Sequence, residues 1–356
     1  MDNGFQHICL NARIVKNETA LTAQAPEHEI LCRKEDEERI ISAIKPIAHG
    51  NKCENLFVHG PAGSGKTTMI KHVMHQLKDY NRKVLCLYVN CWYHSTSMAI
   101  YTKIADALGE PVSRRGRATD EIFDRIVELM KYSKTPVMLV LDEIDGLMCR
   151  DDTRILHNIT SISPEEAAFG IIGISNDRNI LSRVHTKTRD RLRFTPFEIK
   201  GYVKDQLFDL LKIRADEGLF EGSYEDEILN RIAGLAYGSN GNGKFALELL
   251  WKSAKHAESK GSSIISLEDV DEIYDLINVN EPALRDEELI IVDILKSGQK
   301  TSSELYWLFQ KKLWISRRQI SNYVVSLERK GVIETRLIRK GNNPGFKLIK
   351  LKDGGV

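Results

Sequence analysis

Nine residues, GPAGSGKTT from Gly60 to Thr68, restrict this chain more than any other stretch. They fit the pattern G-x-x-x-x-G-K-[ST]. An apolar run, NLFVH, precedes them, and an amphipathic stretch from Met69 to Leu77 follows. That order predicts a buried strand, a tight loop and a helix. Such a loop binds the phosphates of ATP or ADP for a physical reason. Its glycines let backbone N–H groups turn inward, and the next helix points its positive end at the anion. Gly60, Pro61, Ala62, Gly63, Ser64, Gly65, Lys66, Thr67 and Thr68 are therefore expected to form a nucleotide cradle. Within it, Lys66 should reach the β- and γ-phosphates, and Thr67 should hold Mg²⁺ through its hydroxyl.

Short apolar strands alternate with longer segments around this loop: Leu56 to His59, Val84 to Asn90, Val137 to Leu141 and Gly170 to Ser175. The intervening lengths suit crossover helices, which predicts an α/β domain with a parallel sheet covered on both faces. A helix is expected from Glu35 to Ala48, with Pro46 near its end. Strand-like runs stop near Phe194. Four helical stretches follow, Tyr202 to Arg214, Asp226 to Tyr237, Gly243 to Ser259 and Leu267 to Leu276. The run NVNEP, from Asn278, reads as a linker. The expected organisation is an N-terminal arm (1–27), an α/β nucleotide-binding domain (28–200), a helical lid (201–280) and a C-terminal module (285–356).

Polar residues at the strand ends carry the chemistry. VMLVLDEID, from Val137 to Asp145, is an apolar strand ending in acids. Asp142 is placed to join Thr67 at Mg²⁺, and Glu143 to polarise the water that attacks the γ-phosphate. Acids capping a turn would look the same in isolation; the phosphate loop favours the catalytic role. Asn176, after the next strand (GIIGISND), is placed to orient the attacking water, although Asn is also common in turns. The basic segment that follows carries Arg178, Arg183, Lys187, Arg189, Arg191 and Arg193. Arg189, then Arg183, are the candidates for an arginine finger toward a neighbouring subunit's ATP, against the alternative of a solvated basic surface. Lys244 sits in the first turn of a helix opened by GNGK. A cation there opposes the helix dipole unless a phosphate compensates it.

Composition bounds the rest. With 356 residues and 42% hydrophobic content, the chain can build two or three cores. No run approaches a membrane span, and MDNGFQHICLNARIVKNE lacks the pattern of a signal peptide. Six scattered cysteines without a C-x-x-C pair suggest reduced thiols and a cytoplasmic protein. Charge is uneven. From Arg285 onward there are 15 basic and 8 acidic residues, a net +7, where the whole chain sums to +1. That basic module reads as three helices (Glu287 to Lys296, Ser302 to Lys312, Ser316 to Lys330) and a ribbon (Ile333 to Ile338, Phe346 to Leu351). Three helices and a ribbon make a winged helix. Ile320, Val324 and Leu327 should form the buried face of its recognition helix. Arg317, Arg318, Gln319 and Asn322 should then face a DNA groove, with Arg339, Lys340, Asn342 and Asn343 at the wing tip. A winged helix used only for protein contact is the alternative.

Taken together these motifs resemble the AAA+ replication initiators of archaea, the Orc/Cdc-type origin-recognition family, over nearly the whole chain. NLFVHGPAGSGKT, VLDEID and GISND match the family's two Walker motifs and first sensor. LCRKEDEERIISAI resembles the segment before the loop, which implies that Arg33 lies near the adenine pocket. VNCWYHSTSMAIYTKIADALG resembles the extra helical element of initiators, an insertion at about 92–118. By that resemblance Arg114, Arg115 and Arg117 are candidate phosphate contacts. The resemblance implies an ATP/ADP-switched protein that binds and deforms double-stranded origin DNA, helps recruit a replicative helicase, and works at the nucleoid, in some cases beside an initiator paralogue. Two departures stand out. The second-sensor position carries Lys244 where the family usually has Arg, and Lys lacks the planar fork of Arg. The finger region fits the family's spacing poorly, about one residue short. Both imply slow hydrolysis, used as a switch. Other functions on the same parts are a nucleotide-regulated transcription factor and a DNA-remodelling ATPase.

Overall fold

The computed structural model describes residues 13–22, 33–111, 118–149, 152–159, 162, 168–279, 286–313, 317–329, 332–338 and 346–352. They fall into two units, Met1–Tyr274 and Asp275–Val356.

The first unit is built on a five-stranded sheet. Its strands are β1 (Leu56–His59), β2 (Leu85–Asn90), β3 (Val137–Asp142), β4 (Phe169–Ser175) and β5 (Thr195–Glu198). The order is β2-β3-β4-β1-β5, with every pairing parallel. Strand alternation feeds two cores. Phe57, Leu139, Leu141 and Ile171 join the core under α3 (Ser97–Ala107), α4 (Thr119–Ser133) and α6 (Arg154–Ile159). Leu56, Val58, Met138, Val140 and Ile172 join the core under α1 (Lys34–Ile44) and α2 (Lys66–Tyr80). Burying each such side chain contributes about 1.5–3 kcal/mol. The short α5 (Asp145–Cys149) follows β3, and α7 (Thr186–Leu192) precedes β5. Sequence periodicity misses β5. It is a four-residue edge strand, TPFE, with only Phe197 buried, so it shows neither a run nor a clean alternation. Its Pro196 is tolerated because an edge strand leaves one row of N–H groups unpaired. The helix expected over 35–48 tightens at Pro46 into a 3₁₀ turn over Lys45–His49.

The lid comprises α8 (Lys204–Gly218), α9 (Asp226–Gly238), α10 (Gly243–Ser259) and α11 (Leu267–Val279). Leu207, Leu211, Leu229, Ile232, Leu249 and Leu250 are fully buried. The stretch read as an N-terminal arm contributes to this packing. Within residues 13–22, Ile14 and Leu21 are buried, and the backbone N–H groups of Lys16 and Asn17 donate to the Gly218 carbonyl. Glu258 Oε1 accepts from the N–H groups of Ile14 (2.7 Å) and Val15 (2.9 Å), while Oε2 pairs with Lys255 at 3.2 Å. Burial pushes the Glu258 carboxyl up, but these N–H donors and Lys255 outweigh it and hold the group below its ordinary range. A lowered pKa stabilises the fold above the unfolded value and stops doing so as pH falls through the folded one. Glu258→Gln keeps an acceptor but loses the charge. It should cost about 1 kcal/mol at pH 7 in thermal melts of the full chain. That difference should shrink as pH drops below the ordinary 4.5.

The second unit contains α12 (Asp286–Lys296), β6 (Lys300–Thr301), α13 (Ser302–Gln310), α14 (Arg317–Arg329), β7 (Ile333–Ile338) and β8 (Phe346–Leu351). Its antiparallel sheet has the order β6-β8-β7. This is the helix and strand order of a winged helix, with a short strand, β6, that periodicity does not reveal. Thr301 and Glu304 form a reciprocal capping box at the start of α13. Ile320, Val324 and Leu327 are buried against Ile291, Leu295, Leu305 and Phe309, as the spacing predicts. Among the described residues no helix is long and apolar enough to cross a membrane.

Candidate nucleotide-binding site

Parallel pairing brings the carboxyl ends of the strands to one sheet edge. His59 lies opposite Ser175, and Asn90 opposite Asp142. Open α/β sheets place their ligands at this edge. Here β1 runs into the Gly60–Gly65 loop, which opens α2 with Gly65 as its N-cap. Gly63 and Gly65 have φ of 71° and 85°, values that favour glycine. Close approach is a second reason for glycine at both positions. A Cβ on Gly63 would fall 1.7 Å from Asn242 Oδ1, and one on Gly65 2.6 Å from Tyr202 Oη. Among the described residues no side chain caps α2, and no acid lies in its first turn. Its leading N–H groups therefore remain available to an anion.

Lys66 is buried, and its ammonium donates to the carbonyls of Gly60 (3.0 Å) and Pro61 (2.8 Å). Burial pushes it down to about 8; Asp142 opposes that fall and Arg33 adds to it. A phosphate is a far better partner for this cation than two carbonyls, because it supplies full opposite charge. Thr67 Oγ1 donates to Asp142 Oδ2 at 2.8 Å. This hydroxyl–carboxylate pair, all oxygen, is a donor set that fits Mg²⁺. The charge of the cation, when bound, offsets that of the phosphates. Thr67 and Asp142 would hold it.

Glu143 follows in a left-handed conformation, φ 50°, unusual for a non-glycine residue. Its own N–H donates to Asp142 Oδ1 at 2.9 Å, and Asn90 Nδ2 donates to its Oε2 at 3.0 Å. The strained backbone turns the carboxylate toward the sheet edge, and Asn90 holds one oxygen. Tyr88 Oη donates to Asp142 Oδ2 at 2.5 Å. Burial first, then this bond to Asp142, push the phenol far above its ordinary range and keep it a donor. Neither Tyr88 nor Asn90 is singled out by sequence motifs. The signal was present, since two polar residues at alternate positions interrupt an otherwise apolar strand, LCLYVN.

The lid reaches the loop directly. The Gly243 N–H donates to the Gly63 carbonyl at 3.0 Å. Asn242, which caps α10 by accepting from the Phe245 N–H at 3.0 Å, lies against Gly63. Lys244, two residues after Asn242, is exposed. Arg33 is buried, donates to the Lys200 carbonyl at 2.6 Å, pairs with Asp36 at 3.3 Å, and stacks 4.3 Å above the Tyr202 ring. Among the described residues its Nε is buried without a partner, an orphaned donor beside the loop-facing tyrosine that suits a ligand base. Asn176 stands exposed just beyond β4, one residue past the His59–Ser175 pair and thus beside the start of the loop.

Arg183 and Arg189 are exposed, and neither has an ion-pair partner among the described residues. Gln319 is exposed on α14. The backbone of α14 is described at Arg317, Arg318 and Asn322, but their side chains lie outside the described structure. Arg114, Arg115, Arg117, Arg339, Lys340, Asn342 and Asn343 lie outside the described residues altogether.

Comparison with known proteins adds a frame. Residues 49–175 match a family model described as an AAA domain, and residues 208–275 one described as a Cdc6 AAA+ ATPase-type lid domain. The ORC1-type DNA replication protein 1 of Sulfolobus acidocaldarius is 28% identical over 346 residues, spanning 91% of this chain and 86% of that protein. Among solved structures, the Aeropyrum pernix Orc1 protein in complex with DNA is similar with a TM-score of 0.69 and 22% identity, covering 96% of this chain and 94% of the other. The Aeropyrum pernix Orc2 protein in its ADPNP–ADP complexes is similar with a TM-score of 0.64 and 19% identity, covering 95% and 94%. At these identities the structures establish the fold.

Proposed function

We propose that this chain, which belongs to the Orc/Cdc-type family of AAA+ ATPases, is a DNA replication initiator that uses ATP and ADP to set the posture of its lid. The observation that carries this reading is the bond between the lid and the phosphate loop, Gly243 to Gly63. A loop that rearranges around phosphates cannot leave that bond unchanged. Nucleotide state is thereby converted into lid position. In this scheme Lys66 and the first turn of α2 bind the phosphates, Thr67 and Asp142 take Mg²⁺, and Glu143 activates water. Asn176 and Lys244 report on the γ-phosphate, and Arg33 lies on the base side. Arg189 or Arg183 serves a neighbouring copy. Lys at the second-sensor position favours slow turnover, because an ammonium gives one point charge where a guanidinium gives a fork.

Double-stranded origin DNA is the proposed partner. Support comes from the net +7 of the C-terminal module, its winged-helix arrangement, and its similarity to an ORC1-type DNA replication protein and to an Orc1 protein in complex with DNA. Arg317, Arg318, Gln319 and Asn322 would read a groove, the wing residues would contact phosphates, and the 92–118 insertion would provide a second grip. Contact at two points bends or underwinds a duplex, which itself favours deformable sequences. Recruitment of a replicative helicase, pairing with a paralogous initiator, and action in the cytoplasm at the nucleoid complete the reading.

The test is binding of the full chain, and of the chain ending at residue 284, to origin-region and unrelated duplexes at one near-physiological salt concentration. The full chain should prefer the origin duplex by about a hundredfold or more, and truncation should remove most of that preference. Equal binding to both duplexes, unchanged by truncation, would sink the DNA-reading role and favour a remodelling ATPase.

A further inference from the structure

The acids at the end of β3 are held from β2. Register sets Tyr88 opposite Val140 and Asn90 opposite Asp142, and alternation puts Tyr88 and Asn90 on one face. Each addresses one acid: Asn90 bonds Glu143 and Tyr88 bonds Asp142. Asp142 is only 4% exposed. Oδ2 accepts from Tyr88 Oη and Thr67 Oγ1, and Oδ1 from the Glu143 N–H. Three donors from three places, β2, α2 and the turn after β3, thus fix one side chain. Two of them also belong to the nucleotide machinery. Tyr88 has no such role in the site as described above, and its ring is tied to α2 by the Lys71 ammonium, 5.0 Å from the centroid.

We propose that Tyr88 is a positioning residue for the divalent cation that accompanies the nucleotide. The inference rests on the assignment of Thr67 and Asp142 as the metal pair. A carboxylate held only by Thr67 and its neighbouring N–H can swing about its Cβ–Cγ bond. The phenol removes that freedom, so the carboxylate is oriented before the cation arrives. Groups that orient a metal-site residue without touching the metal typically change metal affinity by about 10–100-fold when removed. The effect passes through Asp142 alone. It should therefore leave the affinity for nucleotide without metal unchanged.

Tyr88→Phe tests this, because it deletes one oxygen and keeps the ring that packs beside Lys71. The full chain, Tyr88→Phe and Asp142→Asn would be titrated with Mn²⁺ by electron paramagnetic resonance, with ADP held below the protein concentration. ADP binding would be measured separately in EDTA. Tyr88→Phe should bind ADP in EDTA within about twofold of the parent, while its Mn²⁺ dissociation constant rises about tenfold and its bound-Mn²⁺ spectrum changes shape. A Mn²⁺ affinity within twofold of the parent, with Asp142→Asn clearly weakened, overturns the role of Tyr88 and leaves the metal pair standing. An equal loss of ADP affinity in EDTA and of Mn²⁺ affinity also overturns it, because that is the mark of a damaged sheet edge. If Asp142→Asn binds Mn²⁺ as the parent does, the metal assignment itself fails and takes Tyr88 with it.

Discussion

Lys66→Ala should remove measurable ATP binding, raising the dissociation constant by about a hundredfold or more, while the protein stays folded. The two halves of that expectation come from the same geometry. A buried ammonium facing phosphate contributes about 1.5–3 kcal/mol per charge-assisted bond, and two such bonds account for the loss. Without nucleotide the same ammonium is a burden. Burial lowers it to about 8, so the unfolded chain binds more protons than the folded one between that value and the ordinary 10.5. By linkage, stability then rises with pH across this window, which means that the charged buried lysine destabilises the ligand-free fold below it. Lys66→Ala removes that penalty and loses the bonds to the Gly60 and Pro61 carbonyls and a long 3.5 Å bond to Ser64 Oγ, all to neutral groups. The melting temperature of the ligand-free variant should therefore match or exceed the parent's at pH 7. Fluorescent-nucleotide titration checks the first half and thermal melting the second. Retained ATP binding would remove Lys66 from the phosphate site. Lost binding together with a collapsed melting temperature would mean that the lysine supports the loop and not the ligand.

The parts of this site that could be read in the sequence are those carried by adjacent residues. A glycine-rich loop between a strand and a helix, and an apolar strand ending in Asp142 and Glu143, are local patterns. They single out Thr67 and Asp142, the proposed Mg²⁺ pair, and the structure sets the two side chains 2.8 Å apart. The apolar spacing of α14 likewise marks Ile320, Val324 and Leu327 as core. What could not be read depends on contacts between distant segments. Tyr88 and Asn90 matter only because β2 pairs with β3 in a particular register, and nothing in LCLYVN announces that register. Asn242 and Tyr202 approach Gly63 and Gly65 only once the lid has folded back. Residues 13–22 look like an arm because their apolar residues show only weak periodicity. Ile14 and Leu21 are buried by helices more than 180 residues further along the chain. The missed β5 has a different cause, since four residues at a sheet edge are too few to show a period.

Glu143→Gln should keep ATP affinity within about twofold and lower hydrolysis by about a hundredfold or more. The substitution is nearly isosteric and lies one residue beyond Asp142, so the metal pair and the loop remain as they are. The amide oxygen can still accept from Asn90 Nδ2, and the backbone can keep the left-handed turn at φ 50° that this position requires. Only basicity is lost. A neutral amide cannot take a proton from water, and general-base catalysis of this kind is worth about 10²–10⁴-fold. Single-turnover hydrolysis with ATP and protein in excess separates this step from product release, which multiple-turnover rates would blur. Hydrolysis equal to the parent's would exclude Glu143 as the base and return attention to Asn176 and to groups supplied by a second copy. A loss of ATP binding alongside hydrolysis would instead show that the carboxylate supports the loop. A variant that binds and does not turn over would also trap the ATP-bound posture of the lid. If nucleotide sets lid position through Gly243 and Gly63, that trapped form and the ADP form should then differ in affinity for the same origin duplex.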